Sequence, residues 1–241
     1  MLNELYGDNK WVEMAFEIRS DTLKPILFNT EMVKAILDGR KTVTRRVVKP
    51  QPDEKHIFKL GYVTDEIPRC GNIGKFGFGI DECGGHIQYA KPPYKIGDVL
   101  WVRETWHKDV GRYMYKANYS ESEKFYRGGQ EIDIKWCPSI HMPKEAARIF
   151  LKVTDVRVER LQDITEEQAI KEGCNASCKS WGDSKFEDVI EFEQSARDMF
   201  SELWNGTLKK DSDCTWMHNP LVWVIEFERI SKEDCNEREF I

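Results

Sequence analysis

No run of about 18 apolar residues occurs in the 241-residue chain, so no membrane-spanning helix is expected. The first residues lack the basic and then apolar pattern of a secretory signal, because Asn3, Glu4, Asp8, Asn9 and Lys10 interrupt any apolar stretch. A cytoplasmic protein with no membrane partner is the expectation. An excess of positive charge is also missing. The formal net charge is -6, which argues against a dominant electrostatic grip on duplex DNA but allows a local basic pocket. Paired cysteine knuckles are absent. The seven cysteines (Cys70, Cys83, Cys137, Cys174, Cys178, Cys214 and Cys235) are odd in number and scattered, as suits thiols that stay reduced. Cys70, Cys83 and His86, joined by Cys137 or His56, are metal-ligand residue types without the C-x2-C spacing of a zinc site. Buried free thiols are expected there, with no metal and no cofactor. Gly71, Gly74, Gly77 and Gly79 lack both G-x-G-x-x-G and a following GK[ST], so no phosphate loop is expected.

What is present is enough for a sizeable core, with 40 % apolar and 12 % aromatic residues. One domain with insertions fits this length. An N-terminal extension is expected over 1–23, the domain over 24–230 and a charged tail over 231–241. Insertions are expected at about 53–96, rich in Gly, Pro and charge and folded as hairpins without a core of their own, and at 118–135, a charged mobile loop.

The chain is organised around residues 29–48. Asn29 or Thr30 caps a short helix that ends at Leu37, with Glu31 in its first turn. Met32, Val33, Ile36 and Leu37 form its apolar face, and Gly39 stands where a left-handed residue closes a helix. The β-branched run Thr42-Val43-Thr44-Arg45-Arg46-Val47-Val48 then predicts a strand. Arg40, Lys41, Arg45 and Arg46 collect four cations at this corner, with the hydroxyls of Thr42 and Thr44 among them. Alternation puts Thr42 and Thr44 on one face and Val43 and Arg45 on the other. A solvated basic turn accounts for such a cluster, and so does an anion or nucleotide pocket.

Lys24–Phe28 is expected as a short strand, and Lys49-Pro50-Gln51-Pro52 as a break. After a turn at Gly97-Asp98, Val99–Trp106 predicts a strong strand with Leu100, Val102, Glu104 and Trp106 on one face and Val99, Trp101, Arg103 and Thr105 on the other. Glu104 on an apolar face needs a cation or a raised pKa, unless it sits at an exposed strand end. Tyr113–Ala117 predicts another strand. Ser139 and His141 lie between Pro138 and Pro143, without a recognisable triad partner. Ile149–Leu161 predicts a long strand. Asp163–Gly173 predicts a short helix capped by Asp163 or Thr165, with Glu172 on the stripe of Ile164 and Gln168 and so facing inward. A polar loop over 174–184, a long helix over 186–204 with Val189, Phe192, Ala196, Met199, Phe200 and Leu203 as its stripe, and a closing strand over 221–230 complete the reading.

The segment Gly39-Arg40-Lys41-Thr42-Val43-Thr44-Arg45-Arg46 resembles the G-x-K-x-x-x-x-R signature of the ASCH family. Gly97-Asp98-Val99-Leu100, Leu161–Ala169 and Val222–Phe227 resemble its Gly-Asp turn, its later strand-to-helix corner and its closing strand. Over 24–52, 97–106, 136–173 and 220–230, roughly half the chain, the likeness is to phage and prophage ASCH-like proteins. It implies an α+β fold, a PUA-like small mixed β-barrel with flanking helices, and a partner that is RNA or a modified nucleoside. Small bacterial members hydrolyse the amide of N4-acetylcytidine. Carried over from them, Lys41, Thr44 and Glu172 are the catalytic candidates. Arg40, Arg45, Arg46, Trp101, Arg103, Glu104 and His141 are candidates for substrate contact, with Trp101, Trp106 or Trp136 as surfaces for a base. Three functions are compatible: an amidohydrolase of N4-acylated cytidine, a non-catalytic RNA-binding module of phage origin, and a ribonuclease using Lys41 and His141.

Overall fold

The computed structural model describes residues 23–64, 71–83, 85–120, 122–174, 177–181, 190–209, 212–232 and 234, with the backbone alone at 177–181 and 190–193. The expected N-terminal extension and most of the charged tail lie outside these residues. The element order is β1 (Lys24–Leu27), α1 (Thr30–Leu37), β2 (Val43–Val47), β3 (Phe58–Tyr62), β4 (Phe76–Gly79), β5 (Gln88–Ala90), β6 (Val99–Arg103), β7 (Trp106–Asp109) and β8 (Arg112–Tyr115). β9 (Phe125–Arg127), β10 (Gln130–Ile132), β11 (Phe150–Arg160), α2 (Glu166–Lys171), β12 (Ser177–Trp181), β13 (Ile190–Gln194), α3 (Ala196–Gly206) and β14 (Leu221–Ile230) follow. Strands in several sheets therefore dominate, with few helices.

A five-stranded sheet in the order β1-β6-β11-β14-β2 carries the fold. β1 runs parallel to β6, and every other neighbouring pair is antiparallel. β14 is buried along most of its length because both of its faces are covered. Leu221, Trp223, Ile225 and Phe227 enter a core with Ile26, Leu100, Val102, Leu151, Val33 and Ile36 of α1, and Phe76 and Phe78 of β4. Val222 and Val224 point the other way, into a core with Val43, Leu161, Ala169, Phe200 and Trp204. Strict alternation of direction with apolar residues at both phases is what a strand covered on two sides requires. A third core gathers Val99, Trp101, Met142, Ala146, Ala147 and Phe150.

The helix of residues 30–37 forms as its sequence dictates. Asn29 accepts from the Met32 amide at its N-terminus. Gly39 takes φ +74° beyond its C-terminus, while the Arg40 and Lys41 amides both donate to Ala35 O. The next strand starts at Val43, so Lys41 lies in the connection. The sheet stays open between β1 and β2, and among the described residues no closed barrel forms. Arg46 reaches across that gap and donates through Nη2 to Leu27 O.

Four expectations change. The helix over 186–204 is shorter: α3 begins at Ala196, capped by Ser195, whose side chain accepts from the Asp198 amide. Ile190–Gln194 pairs with Ser177–Trp181 as a hairpin, so 177–181 of the expected polar loop and 190–194 of the expected helix are strand, while 182–189 lie outside the described residues. The period-two pattern Ile190-Glu191-Phe192-Glu193 suits that pairing, and tertiary pairing overrides a marginal helical stripe. The expected strand 99–106 breaks after Arg103, and Trp106 opens the β7–β8 hairpin. The 118–135 loop contains the β9–β10 hairpin. The 53–96 insertion forms the β3-β4-β5 sheet, and its Phe76 and Phe78 join the main core. No helix of the described residues is long and apolar enough to cross a membrane.

Candidate functional site

Lys41, Arg45 and Glu172 meet at the start of β2, with Thr44 on the same strand, and each of the four is at most 2 % exposed. Three local features bring them together. The closing turn of α1 delivers Lys41. α2 ends with Glu172 as its C-cap and Gly173 at φ +96°. Thr42 then donates through its amide to Lys171 O, locking the end of α2 against the start of β2. The approach is close: a Cβ on Gly173 would lie 2.9 Å from Ala35 Cβ.

Lys41 Nζ donates to Glu172 Oε2 at 2.6 Å, to Glu172 O at 2.8 Å and to Val43 O at 2.8 Å. An ammonium has three protons, and here each has an acceptor. Its charge also lies 5.5 Å from the Phe28 ring centroid. Burial pushes the Lys41 pKa down, and the Glu172 carboxylate opposes that shift. Glu172 uses its second oxygen as well: Oε1 accepts from Arg45 Nη1 at 3.3 Å. Arg45 Nη2 donates to Gln168 Oε1 at 2.8 Å and to Glu159 Oε2 at 3.1 Å, and the guanidinium lies 5.8 Å from the Phe200 ring. Glu159 is in turn bound by Arg157 Nε at 2.7 Å, and Arg157 also holds Asp155 and Glu226. A line of alternating charges thus runs from the sheet surface to Lys41. Cys174, next to the cluster, has its thiol pushed up to about 11, by burial first and then by the Glu172 carboxylate.

Strand alternation divides the remaining residues. Val43 and Arg45 face α2 and α3, and Thr44 and Arg46 face Phe28. Arg46 Nη1 donates to Thr44 Oγ1 at 3.0 Å and to Arg45 O at 3.1 Å, and its guanidinium lies 5.5 Å from the Phe28 ring. No hydrogen bond joins Thr44 to Lys41. The extended chain at 43–44 carries the hydroxyl past Nζ, and Val43 O takes that place.

The other candidates lie apart from this cluster. Arg40 is exposed and pairs with Asp38 Oδ2 and Gly173 O. Glu104 belongs to a second buried ion pair. Arg148 grips both of its oxygens at 2.8 Å, bonds Asn118 Oδ1, and stacks 4.0 Å from the Tyr115 ring centroid. That carboxylate is occupied, which answers why it sits on an apolar face. Trp101 is core, packed with Met142 and Ala146, so it offers no face to a base. Arg103 lies over Trp101 and donates to Ile140 O. His141 is exposed on the turn 139–141 and bonds to none of Lys41, Thr44 and Glu172. Trp136 is half-buried against Tyr119 and Phe125.

The sequence reading missed Gln168, Glu159, Phe28 and Arg148. Gln168 had a local signal, since it lies one turn before Glu172 and closes the Thr165 capping box. The other three come from segments distant in the chain, which leaves no mark on nearby residues. No family model, curated protein or solved structure matches the chain.

Proposed function

We propose that this chain is an ASCH-like protein with a PUA-like fold that takes RNA or a modified nucleoside at the Lys41–Glu172 corner and hydrolyses the acyl amide of an N4-acylated cytidine. One observation carries the reading: the buried 2.6 Å contact between Lys41 Nζ and Glu172 Oε2, with the Thr44 hydroxyl on the adjoining strand. The bridging of the sheet gap by Arg46 and Leu27 O supports the PUA-like part.

The chemistry follows from the pair. Burial disfavours charge on Lys41, so moving one proton to Glu172 yields an amine and a carboxylic acid at the same contact. The amine then accepts the Thr44 proton once Nζ leaves Val43 O. Thr44 Oγ1 attacks the acyl carbon as its proton leaves, and the C=O electron pair moves onto the acyl oxygen; Arg46 Nη1, which donates to Oγ1 at 3.0 Å, eases the loss of that proton by favouring negative charge on Oγ1. The C–N bond breaks, and the leaving exocyclic nitrogen takes the proton from Glu172. Water hydrolyses the acyl-threonine, which releases the free acid and restores the hydroxyl.

A second reading rests on the full use of Lys41's three donors, which suits a structural strut under a non-catalytic RNA-binding surface. The test is incubation of the protein with N4-acetylcytidine and with mixed single-stranded RNA, read by mass spectrometry and on a gel, beside Thr44→Val. Loss of the acetyl group in the wild type alone is the expected result. Intact substrates with a gel shift that survives Thr44→Val replace it with the binding module. Shortened RNA that depends on His141 replaces it with a ribonuclease.

A further inference from the structure

Away from this site, the β3-β4-β5 region brings two histidines together across 30 residues of chain. His56 Nε2 lies 3.2 Å from His86 Nδ1, with the rings tilted at 65°. His56 is buried and His86 is exposed. Two imidazole nitrogens bound to one tetrahedral ion at about 2.0–2.1 Å each lie about 3.3 Å apart, so the observed separation matches the one a shared ion requires. The remaining His56 nitrogen, Nδ1, is buried without a hydrogen bond and lies 3.9 Å from Asp53 Oδ2. A carboxylate that accepts from the far nitrogen fixes the tautomer that leaves Nε2 free to bind metal, and the exposed Asp53 side chain needs only a small shift to make that bond. Asp53 is held in place by Gln88, which donates to it at 2.6 Å and accepts from its amide at 3.0 Å.

We propose that His56 Nε2 and His86 Nδ1 chelate one divalent transition-metal ion of the zinc, nickel or copper type, with Asp53 orienting His56 and water completing the shell. Among the described residues no group of three or more ligand side chains gathers, so the site is a two-nitrogen chelate. Imidazole selects these ions over magnesium and calcium, and affinity follows the order that places copper highest. Bound metal ties the segment after Pro52 to the turn before β5 and fastens the small sheet that contributes Phe76 and Phe78 to the core. The proposal is independent of the amidohydrolase reading, because its residues lie outside that site and its readout is binding.

The full-length protein, stripped with a chelator and dialysed, is titrated with Zn²⁺ alone by calorimetry and with Co²⁺ by absorption. One ion per chain is expected. His86→Ala, a change at an exposed turn, is expected to weaken binding at least about tenfold, on the scale of lost outer-shell support or greater. Cys83→Ser is expected to leave binding unchanged. Wild-type binding no tighter than that of His86→Ala overturns the proposal. Binding that needs Cys83 but not His86 overturns it equally, and the 3.2 Å contact is then only a hydrogen bond between two neutral rings.

Discussion

Glu172 Oε2 sits 2.6 Å from Lys41 Nζ, with the two side chains 2 % and 0 % exposed. An ion pair so buried gains little over an apolar pair of similar shape, but it is costly to break on one side. Glu172→Gln leaves the Lys41 charge without a carboxylate, and Lys41→Met leaves Glu172 with Arg45 at 3.3 Å as its remaining cation. Each is expected to lower stability by about 3–5 kcal/mol, measured by urea denaturation. The double variant is expected to lose less than the sum of the two. Single losses below about 1 kcal/mol would show that water reaches the pair.

The Glu104–Arg148 pair gives a matching prediction with a different functional outcome. Arg148→Ala strips a 1 %-exposed carboxylate of its bidentate partner and is expected to cost about 3 kcal/mol. Both Glu104 oxygens are held by Arg148, so any RNA binding that the wild type displays under the proposed function is expected to persist where the variant is fully folded. A drop in binding there would return Glu104 to the substrate-contacting residues.

Two glycines at positive φ separate strain from crowding. Gly39 (φ +74°) has open space around a notional Cβ, and Gly173 (φ +96°) has Ala35 Cβ at 2.9 Å. Gly39→Ala is expected to cost about 1 kcal/mol from the left-handed backbone alone. Gly173→Ala is expected to cost clearly more, because α1 and α2 must part. Equal thermal shifts for the two would mean that the α1–α2 contact gives way freely.

Cys174 supplies a pH dependence. Its thiol is raised from 9.0 to about 11 in the folded chain. Between those values the folded state holds the proton more tightly than the unfolded state, so stability falls as pH rises through that window. Cys174→Ala is expected to flatten that alkaline loss in a pH series of thermal melts. At neutral pH, a thiol reagent is expected to label exposed Cys83 first and buried Cys174 only on unfolding.

Mutating the charge relay tests its reach. Glu159 connects Arg157 at the surface to Arg45. Glu159→Gln leaves Arg45 with Glu172 as its remaining carboxylate. Its loss of stability in urea denaturation is expected to be non-additive with that of Glu172→Gln, because the two carboxylates share Arg45. Additive losses would confine the relay to the surface.

Local chemistry in the sequence was enough to place several elements. Asn29 and Gly39 bound the first helix because a cap and a left-handed residue act within a few positions. Thr165 and Gly173 do the same for the second. The apolar run at 221–230 marked a closing strand, and the i+4 step from Gln168 to Glu172 turned that carboxylate inward. Tertiary structure decided the rest, because it depends on which strands become neighbours. Pairing of 190–194 with 177–181 turned part of an expected helix into strand. Packing against Met142 and Ala146 removed Trp101 from any binding role, and Arg148, 44 residues from Glu104, took up its carboxylate. The pairing of β1 with β6, which continues as Phe28 N to Arg103 O, set Phe28 beneath Lys41 and Arg46. The basic run at 40–46 determined that cations gather at one corner. Which of them became a buried pair with Glu172 was settled by the docking of α2, since the desolvation that changes a lysine's chemistry exists only once the chain has closed around it.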